Sequence, residues 1–409
     1  MFGIYVHIPF CEKKCIYCDF YSIERTEHIS SFVDTLCNEI TLRAKQSDSY
    51  PPATSVFFGG GTPSLLTPVQ MERIITVIRN HFAINHDAEW TMECNPGTIS
   101  HESLCGYRSL GINRLSFGVQ SFNESELAFL HRIHSPKQAE EAIALARSAG
   151  FDNVNLDVMF ALPDQTMDSW KHTLETIIAL APEHVSAYSL IFEEGTPLFT
   201  MRQRGTVHEA NEENDAEMYE YAINRLAKAG YTQYEVSNFA QSGRECLHNC
   251  TYWSGDDYLA FGPSAHGLTG GTRYWNYRSL TRYTELLSSG ELPVANSEKL
   301  SLHERMFERA FLELRARGIR IHEFQNDFGI DILQALGKEL ELWESEGLVM
   351  QSDGRLKLTS AGYLVCDELS LRTIAALEKA AGAEWEERIF PVEEREPDEF
   401  TYALPVLQG

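Results

Sequence analysis

Six short β-prone runs alternate with longer helical stretches over the first 230 residues, and few folds accommodate that order. The sequence predicts strands over Ile4–Ile8, Ser55–Phe58, Trp90–Glu93, Arg114–Phe117, Asn155–Val158 and Val185–Leu190. It predicts helices between them, among them Ser30–Ala44, Pro68–Phe82, Pro136–Ala149 and Asp168–Leu180. Thr67-Pro68 sets a cap residue before a proline suited to the first helical position, and Gly150 follows a helix end. Serial β-α units build a parallel sheet with helices outside. The fold class expected is α/β: a partial (β/α)6 TIM-type barrel spanning 1–230, with its chemistry at the C-terminal ends of the strands.

The chain changes character twice after that alternation. Residues 231–296 crowd Gly, Asn, Ser and aromatic side chains together, as in Gly262-Pro263-Ser264-Ala265-His266-Gly267. Such composition predicts loops and short strands, here a connecting region or lid. Residues 297–371 read as helix, helix, hairpin, helix, with Ser352-Asp353-Gly354 joining two β-prone runs as tight hairpin turns do. That order resembles a small α+β winged helix. Its 14 acidic and 9 basic residues over 297–369 lack the basic face a DNA reader needs. Residues 372–409 hold Pro391, Pro397, Pro405 and Glu393-Glu394-Arg395-Glu396 and predict an acidic, partly disordered tail.

Charge excludes further classes. Against 34 Lys and Arg stand 59 Asp and Glu, a formal net charge of −25, and such a surface repels nucleic acid and anionic lipid. No apolar run approaches the roughly 18 residues of a membrane span, and the N-terminus lacks a basic stretch followed by a long apolar one. The cysteines number 9, an odd count with three crowded near the N-terminus, which argues against a disulfide framework. Free thiols of this kind suit metal ligation in a reducing compartment, so a cytoplasmic protein is expected.

The crowded three are Cys11-x3-Cys15-x2-Cys18, directly after the first predicted strand. Chance places three cysteines at one fixed spacing about 0.004 times in a chain of this composition. Three thiolates on one short loop can hold three corners of a cubic [4Fe-4S] cluster, and no fourth cysteine follows at Asp19 or Phe20. One iron is then open to a non-protein ligand, as in metal sites that perform chemistry. A structural zinc site is the alternative, with Cys246 and Cys250 as the only candidates to complete it. Cys37, Cys94, Cys105 and Cys366 are expected as small buried residues.

Ile4-Tyr5-Val6-His7-Ile8-Pro9-Phe10-Cys11 with Cys-x3-Cys-x-Tyr-Cys resembles the radical S-adenosylmethionine (SAM) superfamily, and within it the oxygen-independent coproporphyrinogen III oxidase-like group. The resemblance covers about residues 3–370. It implies that the open iron chelates SAM and that one electron from the cluster cleaves the sulfonium to an adenosyl radical. It assigns SAM contacts to Tyr5, Tyr17, Gly60, Gly61, Thr62 and Glu93. Gln120, Arg132 and Asp157 align with positions that bind a second SAM in the oxidase. Independently, Phe58-Gly59-Gly60-Gly61-Thr62-Pro63 ends the second strand, where glycines let a ligand approach the backbone and expose its amides.

Two features resemble the haem chaperone (HemW) branch rather than the oxidase. The oxidase carries a fourth cysteine after the triad and a longer N-terminal extension. His248-Asn249-Cys250-Thr251-Tyr252-Trp253 fits the branch's His-Asn-x-x-Tyr-Trp motif. A neutral imidazole is a good axial ligand for haem iron, and flat aromatics suit a porphyrin face; His248 is the expected ligand. The resemblance therefore implies a protein that binds a cluster, SAM and haem and passes haem to an acceptor protein, with an electron donor such as a flavodoxin or ferredoxin. Oxidative decarboxylation of coproporphyrinogen III is the alternative function.

Overall fold

A computed structural model describes residues 1–46 and 50–382 of the chain. It divides into two compact units: Met1–Gln233, Ser237–Thr251 and Asp256–Lys299 form the first, and Tyr234–Val236, Tyr252–Gly255 and the chain from Leu300 onward form the second.

The first unit opens with the alternation the sequence predicts. Strands β1 (Gly3–Ile8), β2 (Ala53–Gly60), β3 (Ile84–Cys94), β4 (Arg114–Gln120), β5 (Val154–Phe160) and β6 (His184–Ser189) pair in parallel, each with the next. Helices α1 (Ile29–Ala44), α2 (Pro68–His81), α3 (His101–Ser109), α4 (Glu124–Phe129), α5 (Pro136–Ser148) and α6 (Met167–Leu180) connect them. Their starts are set locally. Thr67, Ser100 and Ser135 each cap a helix by accepting the amide three residues on, and the residue there returns the contact to the cap's own amide. Each such cap contributes about 1 kcal/mol. On its other side β1 pairs with a later strand and not with β6, so the barrel stays open.

Then follow α7 (Pro197–Gln203), α8 (Glu212–Lys228), β7 (Thr232–Gln233), β8 (Asn238–Ala240), α9 (Leu247–Trp253), β9 (Tyr258–Phe261), β10 (His266–Thr269), β11 (Thr272–Asn276), α10 (Leu280–Ser288) and β12 (Val294–Lys299). The segment expected as a lid thus supplies strands to both edges of one twelve-stranded sheet: β8 pairs with β6, and β9 pairs with β1. An open barrel has two edges whose backbone groups need partners, and these strands supply them. Buried Glu39 on α1 fastens the β9 side. It accepts from the Gly262 amide at 2.7 Å, Asn276 Nδ2 at 2.6 Å and the Tyr283 hydroxyl at 2.6 Å.

Side-chain alternation along β1–β6 divides two chemistries. One set holds Ile4, Val6, Ile8, Val56, Phe58, Met92, Leu115, Phe117, Val119, Leu156, Val158 and Val185, all fully buried; this is the apolar face helices pack on. The other set, matched strand to strand by register, runs Tyr5 and His7, Ser55 and Phe57, Glu89, Thr91 and Glu93, Arg114 and Ser116, Asn155 and Asp157, His184 and Ser186. A closed barrel of this type fills its interior with branched aliphatic side chains. Here the concave face is mostly polar, with Phe57 among its apolar members.

The second unit contains α11 (Leu302–Leu314), β13 (Ile319–Arg320), α12 (Ile321–Phe328), α13 (Ile332–Leu336), α14 (Lys338–Ser345), β14 (Val349–Ser352), β15 (Arg355–Leu358), α15 (Ser360–Tyr363) and α16 (Cys366–Ala381). Its three strands run in the order β13-β15-β14. The predicted hairpin is present: Asp353 and Gly354 both take positive φ, 53° and 71°, as a tight two-residue turn demands. Helix α16 continues to Ala381, past the boundary expected at 372. The acidic run and prolines of the expected tail lie outside the described residues. No described helix is long and apolar enough to cross a membrane.

Candidate functional site

The chain leaves β1 at Ile8 and turns at once into the cysteine loop. The Cys11 amide donates to the Ile23 carbonyl at 3.0 Å and the Cys18 amide to the Cys15 carbonyl at 3.3 Å, which fold the loop back on itself. Cys15 is buried, and Cys11 and Cys18 are half-buried. Burial, then the neighbouring Cys15, push the Cys18 thiol up to about 12; burial likewise raises Cys11, held against the Thr62 hydroxyl at 3.6 Å. Among the described residues, no three His, Cys, Asp or Glu side chains converge closely enough to hold one metal ion. Zinc needs its ligands around a single centre, whereas a cubic cluster spreads three thiolates over three irons. Three cysteines on one loop are a donor set of that kind.

Beside the loop the C-terminal ends of the strands come together. The Tyr5 hydroxyl lies 3.1 Å from His7 Nδ1, and His7 Nε2 lies 2.8 Å from the Tyr21 carbonyl. A carbonyl only accepts, so Nε2 carries the proton and Nδ1 accepts from Tyr5. Burial keeps His7 neutral by lowering its pKa to about 4. The Gly59-Gly60-Gly61 run lies hard against this floor: a Cβ on Gly60, at φ 109°, would stand 2.4 Å from His7, and one on Gly61 would stand 2.6 Å from the Phe10 carbonyl. Contrary to the expectation from sequence, their amides are not free for a ligand. Gly60 donates to Glu93 Oε2 at 3.0 Å, Gly61 to the Ile8 carbonyl at 2.8 Å and Thr62 to the Phe10 carbonyl at 2.7 Å. Glu93 takes the Gly60 amide and the β1–β2 ladder, continued past the strand ends, takes those of Gly61 and Thr62, so the glycines contribute close approach alone.

Two carboxylates lie here. Burial, then the charge of Asp157, push Glu93 up to about 8, against the Gly60 amide and Arg114. Burial also raises Asp157, to about 6, against hydrogen bonds from Ser186, Asn155 and Ser116. Arg132 and Gln120 close the other side. A Cβ built on Gly118 would lie 3.2 Å from both side chains, and Arg132 Nη1 donates to Cys15 Sγ at 3.4 Å. Gln120 takes φ 70° where the β4–β5 register shifts. This irregularity turns the strand end back over Gly118, as bulges beside binding sites do. Tyr17 packs on the apolar cluster of Leu130, Met159 and Leu162. The structure thus gathers Cys11, Cys15, Cys18, Tyr5, Gly60, Gly61, Thr62, Glu93, Gln120, Arg132 and Asp157 about one mouth.

His248 lies deeper, toward the strand starts, with its ring stacked on that of Tyr5 at 6.2 Å. Its Nδ1 is 2.9 Å from Ser55 Oγ, its ring stacks on Phe57 at 5.1 Å, and a Cβ on Gly3 would touch it at 3.2 Å. Gly3 and Ser55 are paired near the strand starts, so His248 sits roughly 15 Å of strand away from the cysteine loop. It is fully buried, and burial followed by the Arg114 charge lowers its pKa to about 3. Glu89 holds this helix start, accepting from the Leu247 amide at 3.1 Å and the His248 amide at 3.3 Å.

Cys94 and Cys366 are buried as expected, but Cys37 is half-buried and Cys105 is exposed on α3, because its helix face turns outward. Sequence reasoning missed His7, Ser116, Asn155 and His184. The signal was present as polar residues two apart within strands, in Asn155-Leu156-Asp157 and His184-Val185-Ser186.

Comparison with known proteins agrees with this geometry. The sequence matches the Radical SAM superfamily over residues 5–177 and the HemN C-terminal domain over residues 300–365. It is 35% identical over 373 residues to the heme chaperone HemW of Bacillus subtilis, covering 90% of this chain and 98% of that one. It is 34% identical over 361 residues to HemW of Lactococcus lactis, covering 88% and 93%. The solved coproporphyrinogen III oxidase HemN of Escherichia coli superposes with a TM-score of 0.78 at 23% identity, covering 91% of this chain and 89% of that one, a likeness of fold. The open barrel with its cysteine loop, the small C-terminal domain and near full-length identity to HemW proteins agree: the chain belongs to the HemW family of the radical SAM superfamily.

Proposed function

We propose that the protein is a haem chaperone that carries a [4Fe-4S] cluster on Cys11, Cys15 and Cys18, takes up SAM in the adjoining barrel mouth, binds haem and transfers it to an acceptor protein. The observation that carries the cofactor part is the joining of three thiols without a fourth to a barrel mouth holding two buried carboxylates. When bound, the cluster with SAM supplies one-electron chemistry at a sulfonium. The chain's own residues do the rest. Thr62 and Arg132 approach the ligating sulfurs, Tyr5 and His7 hold the floor, and Asp157, with Glu93 beside it, supplies negative charge to a cationic ligand.

The haem part rests on the family and on the His248 motif. For His248 to ligate haem iron, the imidazole must leave its place between Ser55 and Phe57. Anaerobic reconstitution followed by haem titration tests this function, with coproporphyrinogen III, SAM and dithionite in a parallel reaction. Stoichiometric, intact haem binding with no protoporphyrinogen supports the chaperone; protoporphyrinogen formed together with 5′-deoxyadenosine overturns it in favour of the oxidase.

A further inference from the structure

Beneath Asp157 lies a directed hydrogen-bond chain that no part of the function above uses. His184 Nδ1 is 2.6 Å from Asn155 Oδ1, and Ser186 Oγ donates to the same oxygen at 3.1 Å. Asn155 Nδ2 donates to Asp157 Oδ1 at 2.6 Å and to Ser116 Oγ at 2.7 Å, and Ser116 Oγ donates to Asp157 Oδ2 at 3.1 Å. All five side chains are buried. The order has one sense only. Were the Asn155 amide turned over, its oxygen would face an ionised carboxylate oxygen at hydrogen-bonding distance with no hydrogen between them. The Asn155 oxygen can only accept, so His184, kept neutral by burial, carries its proton on Nδ1 and locks Asn155.

We propose that Asn155, locked by His184 and Ser186, is a positioning residue that presents Asp157 as an anion to the sulfonium of SAM in the barrel mouth. The inference rests on the cofactor placement given above. Three features support it. Asp157 is buried, so its charge must be stabilised by the protein rather than by water. Its two oxygens receive donors from Ser116 on β4 and Asn155 on β5, and Ser186 on β6 also stabilises the charge. Glu93, the other carboxylate of the mouth, receives one amide and holds its proton to higher pH. The charged and titratable groups facing Asp157 are Glu93 on β3, Arg114 on β4 and His184 on β6. The carboxylate rich in donors ionises first, and Asn155 brings its shortest hydrogen bond.

The test is equilibrium dialysis of labelled SAM against the cluster-loaded protein, without reductant, from pH 6 to 9, with S-adenosylhomocysteine as the ligand lacking the sulfonium charge. Asn155→Leu removes the donor at similar volume. SAM affinity is expected to fall about twofold at pH 7 and about fivefold at pH 6, with the midpoint of its pH dependence raised by about one unit, so that the loss vanishes toward pH 9. S-adenosylhomocysteine affinity is expected to be unchanged. Ser186→Ala, which empties little space, gives a smaller change in the same direction and serves if Asn155→Leu does not fold. A uniform loss for both ligands at every pH, or wild-type affinity with an unmoved midpoint, overturns the inference. Asp157→Asn separates the two levels. If it leaves SAM affinity intact, the cofactor placement has failed; if it abolishes binding while Asn155→Leu and Ser186→Ala do not shift the midpoint, the positioning role alone has failed.

Discussion

Arg132 donates from Nη1 to the sulfur of Cys15 across 3.4 Å, although 117 positions of chain separate them. A fixed cation at a cluster ligand stabilises the reduced, more negative state of that cluster. Arg132→Gln is therefore expected to lower the cluster's reduction potential on the order of 60 mV, one factor of ten in the one-electron equilibrium. A redox titration followed by electron paramagnetic resonance measures it. An unchanged potential would show that the contact does not survive cluster loading.

Cys11→Ser is expected to lose the cluster and keep the fold. Cys11 is half-buried on a loop outside the sheet, so its hydroxyl replacement costs the barrel little. Iron and sulfide analysis should give a deficient protein, with a circular dichroism spectrum and melting temperature close to those of the cluster-free parent. Full cluster iron in this variant would remove Cys11 from the ligand set.

Glu93 works against stability in the ligand-free protein. Burial and Asp157 raise its carboxyl from the ordinary 4.5 to about 8. As pH rises, the unfolded chain gives up this proton first, so the folded state holds one proton more between about pH 4.5 and 8, and this group's contribution to stability falls across that window. Glu93→Gln removes the penalty. The ligand-free variant should melt about 2 °C higher or more near pH 8, with little difference near pH 4, while its affinity for SAM drops. Calorimetry at the two pH values checks the sign.

His248 and Ser55 can be separated by two variants. Ser55→Ala removes the 2.9 Å partner of the imidazole and is expected to cost about 1 kcal/mol. His248→Ala also empties the space beside Phe57 and should cost about 2–4 kcal/mol. If His248 ligates haem, the Soret band of the haem complex is lost in His248→Ala and retained in Ser55→Ala. Equal retention in both would leave His248 as a brace for the barrel floor.

The strand–helix alternation was legible because each element is encoded by its neighbours. Pro68 after Thr67 starts α2, and Pro136 after Ser135 starts α5, within a residue or so of where the sequence places them. Where the short strands expected in 231–296 would pair was not legible. Residues 258–261 become β9 because β1 has a free edge, and a free edge exists only once the barrel fails to close. The amides of Gly60 and Gly61 looked available because nothing in the run itself shows that Glu93 and Ile8 will take them.

By itself the sequence determined the six β-α units, the cysteine loop and the family, since all three are carried by short spacings along the chain. Tertiary structure decided which side chains share the barrel mouth. Asn155, His184 and Ser116 lie on three strands, and only the parallel register brings them under Asp157. His248 shares a motif with two aromatics, yet packing placed it against Ser55 and Phe57 at the barrel floor. The physical reason is the same in both cases. A hydrogen bond or a stacked ring depends on positions in space to within an ångström, and contacts between residues far apart in the chain exist only after the sheet has set its register.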